Sequence, residues 1–488
     1  MQIKNFKIFF IVLICFVILS LPFLIFPLQA ETNFDFLKIY NAQTLNFEKQ
    51  IPLFNSSRGY SISRIDLGGD GQDEILIGAG PGERPWVKIL RGDGSIINEF
   101  LVYEENFLGG VEVEGCDFDA DGKEEILTGA RSKGGAHIRV FDGFGKIKIN
   151  PGFFAFKNNL NYGVQITCAD INGDKKDEII AVGNENEKKQ LKIFNAFGDL
   201  IKTKDLDFKA KNLSLSKIDL GGDGIEEILV AGGLGDEPKV QIYRGDLSLI
   251  NEFLVYEKNF LGGVAVVSAD IDKDNRGEII VVPGIGGGAH LRIFNGFGKE
   301  KITKNTFVFD PPSPLKNPTE LRRTGENFKF GLNLTAGDFD KDGEKEIIVL
   351  PRNLPTGRSD LYKYIDIDVS DQRFKYYQNG VLIDDLITST GKPSTPTRLG
   401  EFTAFSKYEM AYGYADGVKW GMPYFIGFYM SGGLENGIHE LPFLNNYREG
   451  ENSLGHAVSH GCVRLQIGPA KEVYDWVEIG KTNVFINK

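Results

Sequence analysis

Between residues 34 and 350, short apolar runs recur with Gly- and Asp-rich punctuation at nearly constant spacing. Each copy opens on an acidic loop. The loops begin at Asp66 (DLGGDGQDE), Asp117 (DFDADGKEE), Asp170 (DINGDKKDE), Asp219 (DLGGDGIEE), Asp270 (DIDKDNRGE) and Asp338 (DFDKDGEKE), 51, 53, 49, 51 and 68 residues apart. A short apolar strand follows each loop (ILIGAG, ILTGA, IIAVG, ILVAGG). In the first five copies a second strand follows after a turn (WVKILRG, HIRVFDG, QLKIFNA, KVQIYRG, HLRIFNG). Alternating apolar positions with glycine-rich turns at this period predict the four-stranded blades of a β-propeller. NEFLVYEENFLGGV at 98–111 recurs as NEFLVYEKNFLGGV at 251–264, and GGAH at 134–137 recurs at 287–290, both shifted by 153 residues. A duplicated three-blade unit gives six blades. The last copy lacks its second strand, and a strand of that type stands at the other end as FLKIYNAQ (36–43). The N-terminal strand is therefore expected to complete the last blade and leave no open sheet edge.

The pattern changes at both ends. Residues 8–28 are almost wholly apolar and follow Lys4 and Lys7. That length suits a bilayer span, so residues 1–30 read as a membrane anchor or a signal segment, with the rest exported. Leu28-Gln29-Ala30 fits a cleavage site weakly, while Pro22 and Pro27 disfavour a straight spanning helix. After the repeats, 351–360 (PRNLPTGRSD) reads as a linker. Residues 361–391 alternate like paired strands around an Asn379-Gly380 turn. TPTRLGEFTAF (395–405) and PYFIGFY (423–429) read as further strands, and 469–480 has helical spacing. The fold class is mainly β: a membrane segment, a six-bladed propeller over 34–350, and a small β-rich domain over 361–488.

Composition adds two points. The net charge of −12 argues against a nucleic-acid partner. The four cysteines are Cys15, in the apolar segment, Cys116, Cys168 and Cys462. Cys116 and Cys168 stand one and two residues before their loop aspartates, an offset that in alternating strands puts them on opposite faces. They are expected not to pair, and to be small buried apolar residues. Cys462 is then an unpaired, reactive thiol. His137 and His290 occupy equivalent repeat positions, where a packing or turn role is expected.

The acidic loops offer oxygen ligands at positions 1, 3, 5 and 9, a pattern suited to a hard cation. Copies two and six are complete, with Asp117, Asp119, Asp121 and Glu125, and Asp338, Asp340, Asp342 and Glu346. Copy three offers Asp170, Asn172, Asp174 and Glu178, and copy five Asp270, Asp272, Asp274 and Glu278. Copies one and four lose position 3 to Gly68 and Gly221, leaving Asp66, Asp70 and Glu74, and Asp219, Asp223 and Glu227. Lys175 and Asn275 stand where position 6 calls for glycine. Asp-Gly loops are also good turns that bind nothing, so both readings are open. The loops resemble the calcium loops of FG-GAP (integrin-type) propeller repeats. That resemblance implies structural Ca2+ in some of them.

Three of the five histidines (His439, His456, His460) fall close to Cys462. A histidine beside a thiol can take its proton, and a Gly-flanked turn frees backbone N–H groups for an oxyanion. A zinc site from these four residues and an inert buried cysteine are the competing readings. SHGCVRL (459–465), with Gly437-Ile438-His439 upstream, resembles the signature of the L,D-transpeptidase (YkuD-type) catalytic family. IDIDVSDQRFKYYQNG, STGKPSTPTRLGEF, MPYFIGF and AKEVYDWVEIGKTNVFI resemble its flanking elements. The resemblance implies Cys462 as nucleophile, His439 as general base, His460, Ser459 and Gly461 as turn and oxyanion site, and Arg464 as pocket support. His456 is an alternative base. Glu440 departs from the family pattern, so the group that orients His439 is open.

The resemblance further implies thioester chemistry on peptidoglycan stem peptides, with no cofactor for catalysis. With the apolar N-terminal segment, the expected place is extracytoplasmic in the cell envelope, anchored by that segment, while the propeller's ligand, a wall polymer or a protein, is left open. The competing reading is a calcium-stabilised adhesion or carbohydrate-binding protein with an L,D-carboxypeptidase or inactive C-terminal domain.

Overall fold

The computed structural model describes residues 36–52, 59–149, 151–157, 163–185, 188–210, 212–302, 306–308, 330–352, 358, 361–415, 417–444 and 447–488. The apolar segment 8–28 and most of the 351–360 linker lie outside the described residues. Among the described residues no helix is long and apolar enough to cross a membrane.

The chain is mainly β. The repeats form six four-stranded antiparallel sheets, five of them from consecutive strands. The sixth joins Leu332–Gly337 and Glu346–Pro351 to two strands from the other end of the region, Phe36–Asn41 and Phe47–Pro52. There Lys38 pairs with Val349 and Asn41 with Glu346.

Each acidic loop is closed by its own side chains. The carboxylate at position 1 accepts the N–H of position 6, as in Gly71 to Asp66 (2.8 Å) and Gly343 to Asp338 (2.9 Å). The glutamate at position 9 accepts the N–H of position 2, as in Leu67 to Glu74 (3.2 Å) and Phe339 to Glu346 (2.9 Å). Position 6 lies in the left-handed region in all six copies, which glycine adopts without strain. Lys175 (φ 68°) and Asn275 (φ 65°) adopt it as well. Lys175→Gly is therefore expected to stabilise by about 1 kcal/mol, read as a rise in Tm; an unchanged or lower Tm would refute this.

Position 8 links neighbouring loops, a role the metal pattern did not suggest. Asp117 N–H donates to Asp177 Oδ2 (3.0 Å) while Asp177 N–H donates to the Asp117 carbonyl (2.8 Å). The same reciprocal pair joins the first loop to the last, Asp338 N–H to Asp73 Oδ2 and Asp73 N–H to the Asp338 carbonyl, both 2.8 Å. Apolar clusters fill the spaces between successive sheets. His137 stacks on Phe154 and His290 on Phe307, with centroids 4.6 and 5.1 Å apart.

The expectation that Cys116 and Cys168 do not pair is overturned: they form a disulfide, with Cα atoms 6.0 Å apart. The reason is geometric. Cys116 shares a sheet face with Leu127, and Cys168 shares one with Ala181; all four meet in a single cluster between the second and third sheets. One sheet's trailing face meets the next sheet's leading face. Residues of opposite parity are therefore the ones that confront each other.

The C-terminal region has a five-stranded sheet (Arg373–Gln378, Val381–Ile387, Lys363–Asp368, Thr482–Asn487, Gly400–Thr403) and a second sheet built on the long strand Val418–Ser431. Asn379 and Gly380, at φ 51° and 81°, make the hairpin turn that the sequence called for. The helix runs Pro469–Trp476, shorter than the periodicity to 480 suggested, because Val477 is extended. Val473 and Val477 join Ile365, Ile426 and Ile438 in one core between the sheets.

Candidate active site

His439 lies on the strand Leu434–Glu440, which pairs in parallel with Val463–Leu465, so that Ile438 faces Val463 and His439 faces Arg464. Alternation then puts Cys462, Arg464 and His439 on one face of the pair, and Glu440 with Leu465 on the other. His439 is 2% exposed, and its Nδ1–H donates to the Glu440 carbonyl at 2.6 Å. That bond leaves Nε2 as the accepting nitrogen. The orienting group left open by the sequence is therefore a main-chain oxygen. The Glu440 carboxylate is engaged elsewhere, with Arg448 (2.8 Å) and the Gly468 N–H (3.1 Å) at the start of the helix.

The turn before Cys462 is held by buried hydroxyls. Ser459 Oγ donates to the Cys462 carbonyl (2.5 Å) and accepts the Gly461 N–H (3.1 Å). Gly461 has φ 115°, and a Cβ there would lie 3.0 Å from Asn436 Oδ1, so only glycine fits. His460 Nε2 is 2.9 Å from Lys392 Nζ. Arg464 is almost buried, with its guanidinium 2.8 Å from Glu449. His456 has an exposed ring and accepts the Ser389 hydroxyl through its carbonyl (2.7 Å). Among the described residues, the four residues of the zinc reading form no ligand cluster.

Sequence reasoning missed the scaffold under this turn. Thr388, Ser389 and Thr390 are fully buried. Thr388 Oγ1 donates to the Arg464 carbonyl (2.8 Å), Ser459 N–H to the Thr390 carbonyl (2.9 Å), and Thr397 Oγ1 to the Gly461 carbonyl (3.0 Å). Its only signal was a Ser/Thr-rich run, which reads equally well as a surface loop.

Burial sets the electrostatics. It pushes the Cys462 thiol above its ordinary value, against smaller opposite effects of the Gly437 main chain and Arg464. It pushes His439 down to about 4, only partly offset by the Glu440 carbonyl. Both shifts favour the uncharged forms, a thiol at Cys462 and a neutral imidazole at His439. The arrangement can pass a thiol proton to the imidazole as charge develops on a substrate. With His439 neutral above about pH 4, kcat/KM should stay level down to about pH 5 and fall as the pH drops through about 4. A pH–rate profile whose acid limb falls near the ordinary histidine value would overturn this.

Residues 362–486 match the YkuD family, the L,D-transpeptidase catalytic domain. Solved structures similar to the chain include an L,D-transpeptidase (Yku) from Stackebrandtia nassauensis (21% identity, 27% of this chain and 58% of that one, TM-score 0.22). Another is Mycobacterium tuberculosis L,D-transpeptidase 1 (20% identity, 30% and 78%, TM-score 0.21). A third is a fused Zn-dependent amidase/peptidase/peptidoglycan-binding domain-containing protein from Clostridium acetobutylicum (25% identity, 26% and 51%, TM-score 0.21). The chain thus spans between half and three fifths of the Stackebrandtia and Clostridium proteins. No curated protein matches it.

The acidic loops stand apart from the L,D-transpeptidase-like domain, each on its own sheet. Ligand atoms come together in three of them: Asp117, Asp119 and Asp121; Asp270, Asp272 and Glu278; Asp338, Asp340 and Glu346. In two of the three the chain supplies a cation of its own. Lys148 Nζ lies 2.7 Å from Glu125, and Lys301 Nζ lies 2.6 Å from both Asp272 and Glu278. In the last loop, Asp338 is 6% exposed and its Oδ1 is buried with no hydrogen-bond partner among the described residues.

Proposed function

We propose that the C-terminal domain, residues 361–488, is an L,D-transpeptidase acting on peptidoglycan stem peptides through Cys462. The observation that carries this reading is His439: buried, clamped through Nδ1 by a carbonyl, and placed on the strand paired with the one that follows Cys462. The match of residues 362–486 to the L,D-transpeptidase catalytic domain supports the choice of substrate.

In the proposed reaction Cys462 passes its proton to His439 Nε2 as sulfur attacks the amide carbonyl before a terminal D-Ala. Backbone N–H groups of the turn before Cys462, other than those of Ser459 and Gly461, which bond the Thr390 carbonyl and Ser459 Oγ, face the developing oxyanion. His439 returns the proton to the leaving amine, D-Ala departs, and a thioester remains. An amine from a second stem attacks the thioester, giving His439 a proton that returns to sulfur, and a 3→3 cross-link results. Water in place of the amine gives a carboxypeptidase.

The test is to incubate the protein with tetrapeptide muropeptides, with and without an acceptor stem. D-Ala release and a cross-linked product are expected. Release with hydrolysed product alone would assign the carboxypeptidase. Absence of both release and a carbapenem adduct on Cys462 would sink the enzyme reading.

The six sheets fit one closed β-propeller over 34–350, of FG-GAP type. Its support is the pairing of Phe36–Asn41 with Glu346–Pro351 and the reciprocal bonds between the first and last loops. The Cys116–Cys168 disulfide supports an exported, oxidising location. Of the loops, the one at Asp338 is best suited to structural Ca2+. Its donors are all oxygen, one buried oxygen lacks a partner, and no lysine fills it as in the second and fifth loops. Adding Ca2+ at about 100 times Kd should stabilise the protein by about 2.7 kcal/mol, with the gain lost in Asp338→Asn. An equal Tm in calcium and in chelator would rule this site out.

A further inference from the structure

A cavity of about 450 Å³ runs between the innermost strands of the six sheets. Its charge is unevenly distributed. At the end formed by the acidic loops it is lined by Asp66, Asp219 and Asp270. Midway, two cations are each doubly paired. Arg64 lies 3.0 Å from both Asp73 and Glu124, and Lys217 lies 3.2 Å from Glu226 and 3.6 Å from Asp177. The opposite mouth differs. Arg131 and Arg352 both line it, with Glu112 as the neighbouring carboxylate, 2.9 Å from Arg131. Among the described residues, the Arg352 guanidinium has no hydrogen bond or ion pair.

The two arginines occupy the same repeat position, six residues after the loop glutamate, in the sheets on either side of the first. The other four copies hold Gly80, Asn184, Gly233 and Gly284. Both are anchored alike, Arg131 N–H to the Gly110 carbonyl (3.0 Å) and Arg352 N–H to the Gly331 carbonyl (2.9 Å). Burial, with Arg131 close by and only Glu112 against it, pulls Arg352 down to about 10, as expected of a guanidinium short of counter-charge. Two guanidiniums and one carboxylate leave one net positive charge, which a monoanion balances and a dianionic phosphate overshoots. Guanidiniums bind carboxylates in a planar, bidentate manner. Gln165 lines the same cavity and offers an amide group to a peptide backbone, whereas the Asn333 amide already donates to the Tyr60 carbonyl (2.7 Å). The mouth is on the side of the catalytic domain: a Cβ on Gly286, whose loop ends the fifth sheet at this face, would lie 3.7 Å from Gln378 and Asn379 of that domain's hairpin.

We propose that the Arg131–Arg352 mouth of this cavity binds a carboxylate of a peptide ligand. That the peptide is a stem of the wall polymer, held beside the domain that processes it, rests on the transpeptidase reading; the carboxylate site does not. Binding is measured by calorimetry on the full-length chain with N-acetylated tetrapeptide carrying free carboxylates, with the same peptide fully amidated, and with inorganic phosphate or acetate. The acidic peptide is expected to bind at least ten-fold more tightly than the amidated one. Arg352→Gln and Arg131→Gln should each weaken it at least ten-fold, while Arg352→Lys, which keeps the charge but loses the bidentate fork, should weaken it by less than Arg352→Gln.

Arg352→Gln should leave Tm unchanged or higher, because it removes an unbalanced charge; a drop in Tm alongside lost binding would assign the arginine a structural role instead. His439→Ala controls for the active site, and binding lost there but kept in Arg352→Gln would overturn the proposal. Phosphate or acetate binding as tightly as the peptide would assign the mouth to small anions and refute a peptide ligand. The two readings fail separately: no D-Ala release with intact Arg352-dependent binding refutes only the transpeptidase.

Discussion

Cys462→Ala is expected to abolish D-Ala release and thioester formation, with a rate loss of about 10^4-fold or more. Cys462 supplies the free thiol on the shared face of the paired strands, and no bound cation is proposed for the domain to activate water instead. His439→Ala should cost nearly as much, because burial holds the thiol above its ordinary pKa and the proposed reaction passes its proton to the imidazole. The double variant should be scarcely worse than either single one, since each abolishes the same proton transfer. Glu440→Gln separates the two parts of that residue. The carbonyl that clamps His439 stays, so the rate per folded molecule should hold, while loss of the Arg448 partner lowers Tm. Additive losses in the double variant, or a collapse of rate in Glu440→Gln at unchanged Tm, would refute this account. Mass spectrometry of carbapenem-treated protein locates the adduct independently.

Removal of the Cys116–Cys168 bridge should have the largest effect on stability. It closes a separation of 52 residues, and constraint of the unfolded chain over that length amounts to about 4 kcal/mol at 25 °C, an upper figure when native strain is ignored. The bridge joins the second and third sheets inside an apolar cluster. Cys116→Ala with Cys168→Ala keeps that space apolar and isolates the covalent contribution. A clear fall in denaturant midpoint is expected for this pair, and reductant should reproduce it in the parent. A double variant as stable as the parent, with the parent indifferent to reductant, would show that the bridge contributes nothing. Cys462 should remain a free thiol in every case.

Much of the fold was legible because its determinants are local. A loop whose first carboxylate accepts the sixth N–H and whose ninth accepts the second is specified within nine residues, so the six loops and their following strands could be read directly. The N-terminal strand as partner of the last copy followed from counting strands, since an unpaired edge is costly. The Asn379-Gly380 turn and the SHGC segment are equally short-range. The helix was overextended because periodicity runs past Trp476, while the backbone turns extended at Val477.

Contacts between elements distant in sequence were beyond reach. The disulfide was misjudged because parity within one strand does not say which face of a neighbouring sheet it meets; that depends on how successive sheets stack. The clamp on His439 is a carbonyl, an atom every residue carries, so no side-chain pattern could announce it. Lys148 and Lys301 reach acidic loops 23 residues before them, which the ligand pattern of a loop cannot reveal. That Arg352 has no ion pair among the described residues became visible only once the second and last repeats met at one mouth of the central cavity. Sequence alone determined the repeat, its loops and the cysteine–histidine pair, because turn chemistry and strand alternation act over a few residues. Tertiary structure decided the partner of each charge, thiol and imidazole, because burial and facing surfaces depend on the whole chain.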